Sequence, residues 1–232
     1  MTRGRCRQVA ALPAGRVAWC AGRAAVVLDR SSGGQRVMTW HRGEITCLAA
    51  GMDGEEAGLV ATADRLGVAG VWAGGLAAAL VWNGVTGRVV GCVPGRDGED
   101  WLGPVVALCF CPAAALAGRG RRGGGVGLVV VTCDGAGGFG LRVYRVGLPA
   151  DRGGAGAGGE GREKGDWGEA GPVVGTVCWT GWGRCRMVHA VAAAPAWAGA
   201  QAGSGALWLV TAGRRHVRCG MSRCVTHTSS GM

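Results

Sequence analysis

The chain has 232 residues, 48% of them hydrophobic, and 48 glycines; that much glycine excludes a mainly helical protein, because each interior helical glycine costs about 1 kcal/mol relative to alanine. The glycines show no three-residue period, which excludes collagen, and short strands with many turns are the natural use for them. The formal charge of +10, with Lys164 the single lysine among 25 basic residues, suits an acidic partner, although an Arg-, Gly-, Ala- and Trp-rich composition also follows from G- and C-rich codons.

Taken in order, the first segment is rich in arginine and free of acidic residues up to Asp29. That pattern is shared with organelle transit peptides, while Arg16 and Arg23 interrupt any signal-peptide core. Pro13-Ala14-Gly15 predicts a turn, followed by strands at 17–20, 24–29 and 35–40 in meander order. A strand with the composition of one buried on both faces follows at 45–50. An acidic loop leads to a strand at 59–62. A loose Ala- and Gly-rich insert at 65–76 precedes the strand 79–82, which ends in Trp82, and the turn Asn83-Gly84-Val85-Thr86-Gly87 leads into a strand at 88–93.

The same strand types return. Residues 105–110 copy 45–50, and 188–193 copy them again. Residues 128–132 match 59–62, with Thr132 in the place of Thr62, and 208–211 match them with Thr211. Residues 141–144 match 79–82, with Tyr144 in the place of Trp82. Residues 171–177 repeat 87–93. Four strand types in a fixed order predict an all-β fold: a partial β-propeller of about two full four-stranded blades with a partial blade at each end, spanning residues 6–220. Gly-rich loop insertions lengthen the units. The insert 147–171 is expected to be flexible, and residues 221–232 a disordered tail. The unmatched edges imply further blades, from a longer chain or from a partner.

The repeat resembles the WD40 type, and more narrowly the echinoderm microtubule-associated-protein-like family. The likeness is carried by Cys6-Arg7, Leu12-Pro13 and Gly15-Arg16-Val17; by His41 before Ile45-Thr46-Cys47-Leu48; by Val60-Ala61-Thr62 followed by Val81-Trp82-Asn83; and by Thr211-x-Gly213-x-x-His216. The resemblance makes His41, Thr62, Trp82, Asn83, Thr132, Tyr144, Thr211 and His216 structural repeat positions. Asn83 replaces a usual aspartate, Tyr144 a usual tryptophan, and Cys219 stands where an aromatic-Trp pair would end the strand. The family implies tubulin or microtubules as partner, in the cytoplasm and cytoskeleton.

Catalytic chemistry has little support in the residues. His216, Cys219, Cys224 and His227 have ligand types that zinc accepts, but read better as a blade turn and a loose tail. Gly154-x-Gly156-x-x-Gly159 matches a dinucleotide fingerprint only as a string, with no strand before it or helix after it. The carboxylates of Glu55, Glu56, Asp97 and Asp100 read as solvated loop residues, and His41 as a hydrogen-bonding residue rather than a base. The eleven cysteines are odd in number, include no Cys-x-x-Cys pair and several lie in apolar runs, as reduced buried thiols do.

The expectation is a non-catalytic scaffold without cofactor or metal, binding tubulin or another acidic protein surface, and neither nucleic acid nor membrane. The candidate basic contacts are Arg119, Arg121, Arg122, Arg214 and Arg215. The alternatives are a WD40 scaffold unrelated to tubulin, and a small membrane protein spanning at 66–87, an uncharged run that contains six glycines and Asn83.

Overall fold

The computed structural model describes residues 9–51, 57–64, 70–72, 75–97, 100–101, 104–111, 125–133, 138–148, 173–174, 176–184, 188–193, 206–213 and 216–223. The regular structure among them is entirely β. Sheet 1 is a meander of β1 (Val9–Leu12), β2 (Arg16–Ala21), β3 (Ala24–Asp29) and β4 (Gln35–Met38). Sheet 2 runs through β5 (Ile45–Ala50), β6 (Leu59–Asp64), β8 (Gly75–Asn83) and β9 (Val89–Pro94), with the short β7 (Gly70–Trp72) folded back on the start of β8. A two-stranded ribbon, β10 (Arg96–Asp97) and β11 (Asp100–Trp101), leads to sheet 3. Sheet 3 holds β12 (Val105–Cys111), β13 (Gly125–Cys133), β14 (Gly138–Gly147) and β16 (Thr176–Arg184); sheet 4 holds β17 (Val188–Ala193), β18 (Ala206–Gly213) and β19 (His216–Arg223).

The sheets stack, and sheets 2 and 3 are apolar on both faces. Leu12, Ala18, Ala25, Val27 and Met38 of sheet 1 meet Ile45, Leu48, Val60, Leu80 and Trp82 of sheet 2. The other face of sheet 2, with Cys47, Ala61, Ala63 and Val81, meets Leu108, Leu128, Val130 and Tyr144 of sheet 3. Val129, Val131, Leu141 and Val143 on the far side of sheet 3 meet Val191 and Leu209 of sheet 4. This is why β6 and the central strand β13 read as unbroken apolar runs rather than alternating ones: both faces are covered. First strands lie against one another, β1 on β5, β5 on β12 and β12 on β17. Successive antiparallel meanders, four-stranded in sheets 1 to 3 and three-stranded among the described residues of sheet 4, packed through their first strands are the blades of a partial β-propeller.

Sheet 1 and the repeat at 171–177 differ from the sequence expectation. Sheet 1 has four strands, not three, because β1 pairs with β2 across the Pro13-Ala14-Gly15 turn, where Ala14 and Gly15 both take positive φ. The repeat at 171–177 does not supply a single fourth strand. Val173 and Val174 form β15, which adds in parallel to the outer edge of sheet 2 opposite Gly91 and Cys92, and the chain returns as β16 on β14.

Strand β19 continues to Arg223, three residues past the expected end of the propeller. The span reading of 66–87 meets β7, β8 and a turn instead of a helix, and no helix among the described residues is long and apolar enough to cross a membrane. The flexible insert expected at 147–171 lies outside the described residues, apart from Gly147 and Leu148.

Candidate functional site

The largest buried polar cluster among the described residues sits on the side of sheet 2 that faces sheet 1. Thr62 and Asp64 are two residues apart on β6 and therefore share a face. Trp82 comes from β8, which pairs with β6 so that Trp82 lies opposite Val60, diagonal to Thr62. His41 arrives from the link between β4 and β5. The Thr62 hydroxyl lies 2.8 Å from His41 Nε2 and accepts from Trp82 Nε1 at 3.1 Å. His41 Nδ1 faces Asp64 Oδ2 at 3.6 Å, and the same carboxylate oxygen accepts from the Gly43 amide at 3.2 Å. His41 is 1% exposed; Thr62, Asp64 and Trp82 are 0%.

The donor inventory orients this chain of contacts. Indole Nε1 can only donate, so Thr62 Oγ1 accepts from Trp82 and has its own proton to give to His41 Nε2. In the tautomer with its proton on Nδ1, His41 directs that N–H toward the Asp64 carboxylate oxygen 3.6 Å away. Trp40 meets Trp82 edge to face, with ring centroids 6.3 Å apart.

A hydroxyl, an imidazole and a carboxylate in sequence have the composition of an acyl-transfer triad. Here the hydroxyl is spent on an indole, and every member is shut away from solvent between two sheets. The arrangement offers a substrate no access, so its role is to tie the β4–β5 link, β6 and β8 into one unit.

Asn83 begins the turn after Trp82. Its Oδ1 accepts from the Val85 and Thr86 amides at 2.8 and 3.0 Å, and Thr86 Oγ1 accepts from the Arg88 amide. An amide oxygen serves here as well as a carboxylate would. The turn touches sheet 1 on two sides. Gly84 lies against Leu12, and Arg36 of β4 donates to the Thr86 carbonyl while its stem covers Gly87, whose φ is +76°.

The other repeat positions do not rebuild this cluster. In sheet 3, Leu128 lies opposite Tyr144 as Val60 lies opposite Trp82, so Tyr144 holds the Trp82 position. Both first strands carry a matching bulge, at Ile45/Cys47 and Val105/Ala107; beyond it Leu48 pairs with Thr62 and Leu108 with Val130. Val130 therefore occupies the place of Thr62. Thr132 sits two residues further on, at the register of Asp64, where its hydroxyl donates to the Gly140 carbonyl at 3.5 Å. Buried Arg142 stands opposite Val130, at the register of Leu80.

In sheet 4 the bulge recurs at Val188/Ala190, and Thr211 pairs with Val191 as Thr62 does with Leu48. Gly220, opposite Leu209, holds the Trp82 register; His216 starts β19 opposite Gly213. Asp64 is the member of the cluster that sequence reasoning missed.

Arg119, Arg121, Arg122, Arg214 and Arg215 lie outside the described residues, as do Cys224 and His227 of the zinc alternative. No cluster of metal-ligating side chains occurs among the described residues. The exposed arginines in view are Arg36 on β4 and Arg23, Arg30, Arg42 and Arg88 in the turns and links of sheets 1 and 2. The Cys92 thiol is enclosed between those sheets, and burial pushes its pKa up to about 12.

The blades define a β-propeller-type protein whose buried polar network joins the strands of sheet 2 to the β4–β5 link. No family model matches the chain, and no curated protein matches it. Among solved structures, a chain from the "Crystal Structure of Mitotic Checkpoint Complex" aligns over 96% of this chain and 78% of its own, at 9% identity and a TM-score of 0.29. At that score the likeness decides nothing, and the fold rests on the sheets themselves.

Proposed function

We propose that the protein is a non-catalytic WD40-like scaffold that binds an acidic protein surface through exposed arginines, and that tubulin in the microtubule is this partner. One observation supports the scaffold reading above others. The most chemically able cluster in view, His41, Asp64 and Thr62, is buried at 0–1% exposure and committed to holding strands together. What remains for function is the surface, where Arg23, Arg30, Arg36, Arg42 and Arg88 extend a basic character already seen in the net charge of +10. The tubulin assignment rests on the family resemblance of the motifs and on that charge. A WD40 scaffold with another acidic partner is the second reading. The cytoplasm and cytoskeleton are the corresponding location.

Co-sedimentation with microtubules tests the proposal. Pelleting is expected at low ionic strength and is expected to weaken as salt shortens the Debye length from about 30 Å at 0.01 M to about 8 Å at 0.15 M. Reversing Arg119, Arg121 and Arg122 to Glu, or Arg214 and Arg215 to Glu, is expected to reduce it further. Absence of pelleting at low salt rejects tubulin. Salt-sensitive retention on other acidic proteins in that case supports the second reading.

A further inference from the structure

Asn83 is the single asparagine of the chain, and a glycine follows it. That pair carries a latent reaction. The nitrogen of the following residue can attack the side-chain carbonyl carbon of the asparagine, and glycine has no Cβ to stand in the way. Packing requires the glycine here. Gly84 is buried, and a Cβ on it would lie 2.8 Å from Leu12 Cδ1 of sheet 1 and 3.1 Å from the Gly58 carbonyl oxygen. The close approach of sheet 1 to this turn therefore keeps the most permissive neighbour beside the only asparagine.

The folded turn withholds both reacting groups. Asn83 Oδ1 accepts from the Val85 and Thr86 amides at 2.8 and 3.0 Å, which fixes the side chain in an Asx-type turn. The Gly84 amide, the nucleophile, donates to the Gly58 carbonyl at 2.8 Å. To react, it must leave that carbonyl and lose its proton. Sheet 1 supplies part of the lock: Leu12 lies against Gly84, and Arg36 donates to the Thr86 carbonyl. Val85 and Thr86 are exposed, so water reaches the turn as soon as it opens.

We propose that Asn83 is a site of spontaneous deamidation, gated by the docking of sheet 1 on the β8–β9 turn. In the opened turn hydroxide takes the Gly84 amide proton, and the nitrogen bonds to Asn83 Cγ. The Cγ–Nδ2 bond breaks, and ammonia leaves with a proton from water, which closes a cyclic imide. Water then opens the imide at either carbonyl. Opening at Cγ gives aspartate, whose carboxylate accepts from the same two amides and rebuilds the turn. Opening at the main-chain carbonyl gives isoaspartate, which routes the backbone through Cβ and Cγ. The extra main-chain carbon falls between the Asn83 N–H, which donates to the Arg88 carbonyl, and the carbonyl that accepts from the Gly87 amide, the two bonds that close the turn. Trp82 directly precedes it, so isoaspartate loosens the strand that brings the indole to Thr62. Ammonia is lost to solvent, so refolding does not reverse the change.

Peptide mass spectrometry of the full chain at pH 8, folded and in guanidinium chloride, reads the exchange of amide for carboxylate at position 83. Methylation by an isoaspartyl methyltransferase counts the isoaspartate. Conversion in the folded wild type is expected to be at least about tenfold slower than in denaturant, because only opened turns react. Arg36 is exposed, so Arg36→Ala is expected to keep the strand circular dichroism while converting roughly fivefold faster than the folded wild type. Asn83→Asp is expected to unfold at the wild-type urea midpoint, and the isoaspartate fraction to refold with a lower one. Equal rates in the folded and denatured chain overturn the proposal, as does absence of conversion in denaturant. Arg36→Ala converting at the wild-type rate overturns the gating by sheet 1, and an isoaspartate fraction with the wild-type midpoint overturns the effect on the turn.

Discussion

Replacing Thr62 by valine removes one oxygen and almost no volume. That oxygen is the acceptor for Trp82 Nε1 at 3.1 Å and the partner of His41 Nε2 at 2.8 Å, and both groups are at most 1% exposed. Each buried polar group left unsatisfied costs about 1–3 kcal/mol. Relaxation around the two shares part of that cost, so Thr62→Val is expected to destabilise by roughly 2–5 kcal/mol, a large part of the 5–15 kcal/mol typical of a domain. Thr62→Ser keeps the oxygen and loses one methyl group, for about 1 kcal/mol. In the double variant with Trp82→Phe the indole N–H no longer exists to be stranded. The two losses should then sum to less than their parts by about 1–2 kcal/mol. Urea unfolding followed by tryptophan emission measures the wild type, Thr62→Val, Thr62→Ser, Trp82→Phe and the double variant. The reasoning fails if Thr62→Val lies within 0.5 kcal/mol of wild type, or if Thr62→Ser costs as much as Thr62→Val, since either result means that the hydroxyl is not what holds the cluster.

Two further outcomes follow from the packing of sheet 2. Gly87 has φ +76°, and a Cβ there would meet Arg36 Cδ at 2.6 Å, so Gly87→Ala is expected to cost about 1–2 kcal/mol in thermal unfolding; pairing it with Arg36→Ala is expected to relieve the clash but not the backbone strain. Cys92 is fully buried with its thiol pKa pushed up to about 12; iodoacetamide at pH 8 is expected to leave it unlabelled in the folded protein and to modify it in urea, as read by peptide mass spectrometry.

Much of the fold was legible in the sequence because blade strands that are covered on both faces read as short apolar runs between glycines. The strands 45–50 and 188–193 coincide with β5 and β17. Strand β1 was missed because Val9-Ala10-Ala11-Leu12 is short, alanine-rich and largely exposed, which leaves no alternation to read. The ribbon of β10 and β11 has two residues on each side, too few to carry a period.

The phase of β13 could not be read either. Leu128 to Val131 is a run of equivalent apolar residues, so a slip of two positions preserves every preference. It is the bulge at Val105/Ala107 that places Val130, and not Thr132, at the register of Thr62. Within the site, His41, Thr62 and Trp82 stood out as recurring positions. Asp64 fell between the expected strand 59–62 and the insert 65–76 and was assigned no role. The available signal was its spacing: a carboxylate two residues after Thr62 must share that residue's face, and β6 has no solvent-facing side.

The parallel strand β15 gives the fold a timetable. Strand β9 ends at Pro94, but the residues that cover its outer edge, Val173 and Val174, follow about 80 positions later. At a synthesis rate of 5–20 residues per second, that edge waits on the order of 4–16 s for its cover. Throughout this interval sheet 2 can already be complete from β5 to β9, with the backbone groups of Gly91 and Cys92 unpaired on the outside. The nascent chain is then most exposed to mispairing at the sheet that holds its best-made cluster, and anything that delays residues 173–174 prolongs the risk.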